Sequence, residues 1–356
     1  MVVGLALLLG NVVCGSPAQA APTAASAARP TTAEGIAAYQ GADRQQMLEE
    51  GAKKEGKLTF YTVNANEASR NALMEGFQKK YPFVKLEMYR GNAPAVTNRL
   101  IQEYQAKTYI VGALEQNPSE TGTLYKAKVL QPYFSPSLAK IRQDVIAKSP
   151  DGKALLATAV LSPFTFGYNT KMITADQAPK TWDDMKKPIF KGKMALTSDS
   201  IGVNFVGTAI TAKGEAWVRD LKSQEIHIVN ATGAGIANAV ATGQYAMTPT
   251  YHYTFFAADK KAGYPVEMAP VEPLWCTAFA WGLPARSATP YSAMLMIDYV
   301  LSPEGQANYT QFAYTSTIVG TQGIADKFRV LLPNQVPNYE QEYTKWESIL
   351  RAITTQ

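Results

Sequence analysis

The feature that most constrains this chain is a regular alternation of strand-like and helix-like segments from residue 43 onward. Lys57–Thr62 has the composition of a strand, and Glu67–Lys80 follows it with apolar residues spaced as on one helix face. Further strand-like segments are Val84–Tyr89, Tyr109–Leu114, Lys193–Thr197, His227–Asn230, Tyr245–Thr250, Val266–Val271 and Cys276–Leu283. Strands that alternate with helices predict an α/β fold with helices on both faces of parallel or mixed sheets.

The length of the chain adds a second constraint. Its 356 residues are about twice a typical domain, which favours two lobes with a cleft between them. In open α/β sheets, ligands bind at the carboxyl ends of the strands, where helix N-termini offer free N–H groups to anions. The loops at these ends are rich in Asn, Ser, Thr, Gly and Tyr. The residues predicted to bind a ligand are Thr62, Asn64, Asn66, Arg90, Asn92, Tyr168, Ser198, Ser200, Thr232, Gly233, Tyr251 and Tyr253.

Several classes of function are excluded by composition and by incomplete motifs. A net charge of +5 without any Lys/Arg block gives no support for nucleic-acid binding. Two cysteines and two histidines exclude a disulfide framework and a multi-histidine metal centre. Ser137–Lys140 matches S-x-x-K without its companion motifs, and Gly233–Asn238 has Asn238 where a dinucleotide fingerprint has its third glycine. We therefore expect a binding protein, not an enzyme, with no cofactor.

The N-terminus is typical of an exported protein. Residues 3–13 are apolar and uncharged, and Ala18-Gln19-Ala20 forms an A-x-A cleavage pattern, so residues 1–20 are predicted to be a signal peptide. Lipidation at Cys14 remains the alternative. Residues 21–40 begin with an Ala/Pro/Thr-rich segment and are predicted to be a flexible leader.

Short motifs in a fixed order give the chain a family resemblance. They are Gly41–Arg44, Gly51–Thr62, Phe77–Pro82, Tyr89–Gly91, Gly167–Thr170, Thr181–Asp184, Phe190–Lys193, Lys260–Val266 and Leu301–Gln306. With this set, which extends over residues 41–330, the chain resembles the periplasmic solute-binding proteins of ABC importers, in the ferric-ion-type, class II branch.

The resemblance implies a two-lobed periplasmic-binding-protein-like fold whose lobes are joined by two crossover strands. Lobe 1 would contain residues 41–160, with 276–356 returning to it, and lobe 2 would contain residues 161–275. It further implies a monomeric periplasmic protein that binds a small solute between its lobes and delivers it to an ABC permease in the inner membrane.

Two classes of solute stay open from the sequence. A small organic anion or polar metabolite would pair with Arg90 or Arg99, since a guanidinium matches a carboxylate bidentately. Aromatic residues such as Tyr61, Phe164 and Trp275 could flank its body. Ferric iron, as transported cargo, would instead take phenolate oxygens, which are suitable hard ligands. The candidate Fe³⁺ ligands are Tyr168, Tyr251 and Tyr253.

Overall fold

The computed structural model describes residues 1, 29–333, 336 and 338–355. The predicted signal peptide (apart from Met1), Cys14 and residues 21–28 of the predicted leader lie outside the described residues. The helices are α1 (Ala33–Ala38), α2 (Arg44–Glu55), α3 (Glu67–Lys80), α4 (Ala93–Gln105), α5 (Thr121–Lys126), α6 (Ser200–Lys213), α7 (Glu215–Asp220), α8 (Gly233–Ala241), α9 (Tyr253–Lys261), α10 (Pro290–Leu301), α11 (Pro303–Thr310) and α12 (Tyr339–Ile353).

The strands alternate with these helices, as the sequence predicts. They are β1 (Lys57–Thr62), β2 (Lys85–Arg90), β3 (Ala113–Gln116), β4 (Leu130–Gln131), β5 (Ile146–Lys148), β6 (Ala154–Asn169), β7 (Ala195–Thr197), β8 (Ile226–Val229), β9 (Met247–His252), β10 (Val266–Ala269), β11 (Leu274–Pro284), β12 (Thr315–Ser316), β13 (Val330–Leu331) and β14 (Thr354–Thr355). Strand β3 begins at Ala113 and not at Tyr109, since its pairing with β1 begins at Phe60 and Ala113.

Two long antiparallel strands, β6 and β11, connect the lobes. Phe164 of β6 lies opposite Trp275 of β11 at one end of the pairing, and Leu156 lies opposite Gly282 at the other end. The first half of β6 also pairs with β5 and β12, whereas its second half pairs with β9 and β10. Strand β11 continues into the first lobe beside β3, which lies in the parallel group β3-β1-β2. The predicted two-lobed α/β fold with two crossover strands is confirmed.

Each lobe has its own apolar core. The first is built on α2, α3, α4 and α10 around β1 and β3, and it includes Phe60, Phe77 and Trp281. The second surrounds β7 and α6, and it includes Trp182, Phe190 and Phe205. Cys276 is fully buried within the first core. Because the cores are separate, the lobes are joined mainly through the crossover strands.

The predicted flexible leader is wrong for residues 29–40. Helix α1 is capped by the Thr32 side chain, which accepts a hydrogen bond from the Gly35 N–H at 3.1 Å. Ile36 and Ala37 are fully buried in the first core. Arg29 forms ion pairs with Asp43 and Glu50. The Ala/Pro/Thr-rich composition of this segment gave no indication of its packing against the first core.

The predicted return of the C-terminus to lobe 1 is also wrong for residues 338–355. Helix α12 packs against α6, and β14 extends the β7–β8 sheet of the second lobe. Residues Trp346, Ile349, Leu350 and Ile353 form one apolar helix stripe, which is buried in the second core. Gly207 on α6 makes room for Trp346, since a Cβ there would lie 2.4 Å from the indole. Within the described residues, no helix is long and apolar enough to cross a membrane.

We expect Trp346→Ala to destabilise the second lobe by about 3–5 kcal/mol, because it leaves a large cavity against α6. Urea unfolding followed by circular dichroism measures the loss. The control is Arg351→Ala on the exposed side of α12, which should change stability by less than about 0.5 kcal/mol. Equal stabilities for the two variants would contradict the docking of α12 on α6.

Candidate ligand-binding cleft

A cavity of about 460 Å³ lies between the lobes at the carboxyl ends of their strands. The first lobe contributes the loops after β1, β2 and β3, and the second lobe contributes the loops after β7, β8 and β9. The crossover strands supply the floor between these walls, through Phe164, Thr277 and Phe279. The cavity therefore occupies the place where α/β sheets bind ligands.

On the first lobe, the loop after β1 is fixed by a buried polar network around Asn64. The Asn64 amide donates to the Ser69 hydroxyl at 2.9 Å and accepts from the Tyr314 hydroxyl at 3.1 Å. The backbone carbonyl oxygen of Asn64 accepts from the Arg70 guanidinium at 2.7 Å. Asn66 then caps α3 by accepting from the Ser69 N–H at 3.0 Å. These bonds hold the two asparagines in place at the cavity wall.

The loop after β2 brings the cationic side chain of Arg90 to the cavity. No ion pair of Arg90 is found among the described residues. Partial desolvation, together with the nearby charge of Arg70, lowers the pKa of its guanidinium. Two residues on, Asn92 caps α4 by accepting from the Ala95 N–H at 2.9 Å. This wall therefore carries net positive charge and no carboxylate among its described cavity-lining residues.

The second-lobe wall is also made of helix starts. Asp199 caps α6 by accepting from the Ile201 N–H at 2.9 Å and also accepts from the Thr197 hydroxyl at 2.7 Å. Burial raises the pKa of this carboxyl. Thr232 caps α8, with its hydroxyl accepting from the Gly235 N–H at 3.3 Å. Gly233 lines the cavity beside it.

In the part of the chain that the structure describes, five helices of nine residues or more begin at this cavity: α3, α4, α6, α8 and α9. Their capping residues all line it: Asn66, Asn92, Asp199, Thr232 and His252. Each N-terminus carries a partial positive charge from its aligned peptide dipoles, and together with Arg90 they give the cavity a positive field. Such an arrangement suits a negatively charged or strongly polar ligand.

His252 lies at the floor, and its protonation state follows from its partners. Its Nδ1 accepts a hydrogen bond from the Thr254 N–H at 3.1 Å, so the proton resides on Nε2, which faces the Ser162 hydroxyl. Complete burial lowers the pKa of His252 to about 3, which keeps the ring neutral at physiological pH. Because Nε2 donates to Ser162, this histidine is not oriented to take a proton from that serine.

The cavity brings together a majority of the residues that the sequence predicted. Those that line it are Asn64, Asn66, Arg90, Asn92, Ser200, Thr232 and Gly233. Thr62 is buried behind the wall, where its hydroxyl donates to the Glu115 carboxylate. Ser198 is exposed beside Asn230 and does not line the cavity. Arg99 is held on the α4 surface by Glu103 at 2.8 Å.

The tyrosines predicted as ferric ligands do not converge. The Tyr251 ring packs on Gly167, whose added Cβ would lie 1.7 Å from it, and its hydroxyl donates to Asp259 at 2.5 Å. Tyr168, next to Gly167 on β6, faces the opposite side of the sheet and is buried in the second core. Tyr253 is half-buried at the start of α9 and does not line the cavity.

The three tyrosines are protonated at neutral pH. Burial raises the pKa of Tyr168 and Tyr251, and it raises the pKa of Tyr253 to about 12. Within the described part of the chain, no group of three or more His, Cys, Asp or Glu side chains could hold a metal ion. The structure therefore does not bring the predicted ligand set of Tyr168, Tyr251 and Tyr253 together at the cavity.

The predicted ligand residues did not include seven polar residues that line the cavity: Asn117, Asp199, Asn230, His252, Thr277, Tyr314 and Tyr343. Neither His252 nor Asp199 was singled out from its loop, and Tyr314 lies far along the chain from every predicted loop. A signal existed for Asp199, because an acidic residue that precedes a helix of small and apolar residues is a typical N-cap. No local signal marks Tyr314.

We expect Tyr251→Phe to lower stability by about 1–3 kcal/mol, because the half-buried Asp259 loses its hydrogen-bond donor. The same substitution should leave cargo affinity unchanged. Urea unfolding and calorimetric titration measure the two quantities. Tyr264→Phe, at an exposed site, serves as the control. A ferric affinity that disappears in Tyr251→Phe would instead support the role of Tyr251 as an iron ligand.

A pH dependence follows from His252. The unfolded chain takes up a proton near pH 6.5, whereas the folded protein keeps the ring neutral down to about pH 3. The stability that depends on the neutral ring is therefore present above pH 6.5 and is lost as the pH falls toward 3. In this window, we expect the free energy of unfolding of the wild type to fall by up to about 1.4 kcal/mol per pH unit more than that of His252→Asn.

His252→Asn is a suitable variant because its side-chain oxygen can still cap α9. Urea unfolding at a series of pH values between 7 and 4 gives the two profiles. Parallel profiles would show that His252 does not contribute to the acid sensitivity.

Comparison with known proteins gives the geometry a context. A protein of Serratia marcescens named Fe(3+)-binding periplasmic protein is 27% identical over 198 residues. This match covers 53% of the chain and 55% of that relative, so the chain spans about half the length of the curated relative it matches.

Solved structures match over more of the chain. Iron-bound HitA from Pseudomonas aeruginosa has a TM-score of 0.66 at 18% identity, covering 84% of this chain and 99% of that one. AfuA from Actinobacillus pleuropneumoniae, with exogenous fructose-6-phosphate bound, has a TM-score of 0.70 at 18% identity, covering 83% of this chain and 99% of that one. These likenesses establish the two-lobed fold. The sequence model for bacterial extracellular solute-binding proteins matches residues 72–327, well over half of the chain, and the chain belongs to that family.

Proposed function

We propose that this protein is the substrate-binding component of an ABC importer, which captures a small organic anion between its lobes and delivers it to a membrane permease. The observation that carries the proposal is the convergence of five helix N-termini and Arg90 on one cavity. In this proposal the protein is exported to the periplasm by its N-terminal signal peptide and acts as a monomer. It makes and breaks no bond in its cargo.

The distribution of charge supports an anionic cargo. Among the described lining residues, Arg90 is the only cation and Asp199 the only carboxylate. The Asp199 oxygens accept from the N-terminus of α6, so this charge largely offsets the dipole of its own helix. Helices α3, α4 and α8 have neutral caps, and their N-termini remain available. An anion would therefore sit against Arg90 and the neutral-capped helices.

Closure of the lobes provides the transport mechanism. An anion held by Arg90 on one lobe and by the N-terminus of α8 on the other would contact both walls only when they are close together. Its differential affinity for the closed form then shifts the population toward closure about the crossover strands. A permease would recognise the closed pair of lobes.

The alternative cargo is ferric iron. Two observations favour it: the Serratia marcescens relative carries an iron-binding name, and HitA was solved with iron. AfuA, with the same fold, holds a sugar phosphate, so the fold accommodates either class of cargo. The separated tyrosines of the present chain give iron no ligand set of the kind predicted, and we therefore favour the organic anion.

We expect Arg90→Gln to weaken anion binding by at least about tenfold, because hydrogen bonds to charged groups contribute about 1.5–3 kcal/mol. The wild type is first screened by thermal shift against acetate, succinate, benzoate, methylphosphonate and phenylphosphonate, with chloride as the reference anion. The best binder is then titrated calorimetrically into both proteins.

Arg99→Gln is the matched control, because Arg99 is also on the first lobe but pairs with Glu103 outside the cavity. It should bind as the wild type does. Equal weakening in both variants would indicate a general effect of charge. An absence of anion binding, combined with saturable ferric binding, would replace the proposal by its alternative.

A further inference from the structure

The floor of the cavity is aromatic. We call Phe164, His252, Phe255, Phe279 and Tyr314, all of which line the cavity, the aromatic floor. Their rings form a continuous chain of contacts, with centroids 4.6 Å apart for Phe164–His252, 5.2 Å for His252–Phe255, 5.9 Å for His252–Tyr314 and 5.7 Å for Phe279–Tyr314. The floor is therefore a continuous aromatic surface at the base of the cavity.

The polar atoms of the floor are already engaged within the protein. Both nitrogens of His252 have partners, Nδ1 with the Thr254 N–H and Nε2 with the Ser162 hydroxyl. The Tyr314 hydroxyl donates to Asn64 at 3.1 Å. A ligand therefore meets the rings of these residues and not their hydrogen-bonding tips. The floor therefore presents an apolar surface to a ligand even at His252 and Tyr314, its two polar residues.

The floor is also rigid. Phe164 stacks on the buried Trp275 at 4.1 Å with an interplanar angle of 9°, and the two residues are paired across β6 and β11. Phe279 lies four residues further along β11, on the same face of the strand as Trp275. Because these rings are fixed by the crossover strands, they are positioned before a ligand arrives, which reduces the entropic cost of binding.

The size of the cavity exceeds what a bare anion fills. An apolar cavity of about 150 Å³ holds one benzene molecule in a protein interior, and the present cavity measures about 460 Å³. A carboxylate or phosphonate at Arg90 and the helix N-termini would leave the aromatic floor uncovered. Covering it requires an apolar body attached to the anionic head.

We propose that the cargo is an amphipathic organic anion whose planar, apolar body rests on the aromatic floor while its anionic head faces Arg90 and the helix N-termini. This inference rests on the proposed function and deepens it by naming the class of anion. Aryl carboxylates and aryl phosphonates have this chemistry, because their rings pack edge-to-face or offset on aromatic side chains.

The first test compares anions that differ only in the body, using the wild-type protein and calorimetric titration. The probes are phenylphosphonate against methylphosphonate, and benzoate against acetate. Burial of the added ring should tighten binding at least about tenfold within each pair. Equal affinities within the pairs would overturn the inference while leaving the anion-binding function intact.

A second comparison separates the head from the body. Benzyl alcohol carries the ring without the charge. Binding of benzyl alcohol as tight as that of phenylphosphonate would overturn the amphipathic assignment and would also remove the support for an anionic cargo. Binding by none of these probes would overturn the inference and the proposed function together.

A variant tests the floor directly. Phe279→Leu keeps an apolar side chain and should reduce the preference for phenylphosphonate over methylphosphonate by at least about threefold. Phe256→Leu is the matched control, because Phe256 packs on Tyr251 away from the cavity. An unchanged preference in Phe279→Leu would overturn the placement of the ligand body. If this variant folds poorly, the comparison of phenylphosphonate with methylphosphonate on the wild-type protein still tests the inference.

Discussion

The antiparallel pairing of β6 with β11 is the interaction on which the rest of the structure depends. Eight residue pairs join the two strands, and each strand then continues into sheets of one or both lobes. The pairing joins the two separate cores and leaves a cleft between them. Because the same strands also carry Phe164, Thr277 and Phe279, the element that joins the lobes is also the base of the cavity. Motion of one lobe against the other therefore takes place around the ligand.

The walls of the cleft follow from the direction of the strands. In both lobes, parallel strands end at the cleft and a helix begins directly after, so the free N–H groups of the helices point toward the same space. The neutral caps Asn66, Asn92 and Thr232 satisfy part of each helix start without cancelling its dipole. Asp199 is a charged cap, and it offsets the dipole of α6. The positive field of the cavity is thus a property of the fold, and its strength is adjusted by the choice of capping residue.

Behind the first-lobe wall, a buried polar network gives the site its rigidity. Glu115 is fully buried and accepts from the hydroxyls of Thr62 and Tyr309, the latter at 2.7 Å. Burial raises the pKa of its carboxyl. Loss of one such partner would leave a buried acceptor unsatisfied, which costs about 1–3 kcal/mol. Thr62, expected from the sequence to contact ligand, instead supports the loop that carries Asn64 and Asn66.

The sequence by itself determined the alternation of strands and helices, the bounds of elements such as β1 and α3, and the cleft loops that carry Asn64, Arg90 and Thr232. These are local properties, set by hydrophobic spacing, by capping residues and by strand direction. Only the tertiary structure decided that α12 packs on the second lobe, because an apolar stripe specifies burial but not its partner. It also decided that Tyr168 and Tyr251 face opposite sides of a sheet and that Tyr314 reaches the cavity from a distant segment. Such facts depend on strand register and on long-range packing, which no local pattern encodes.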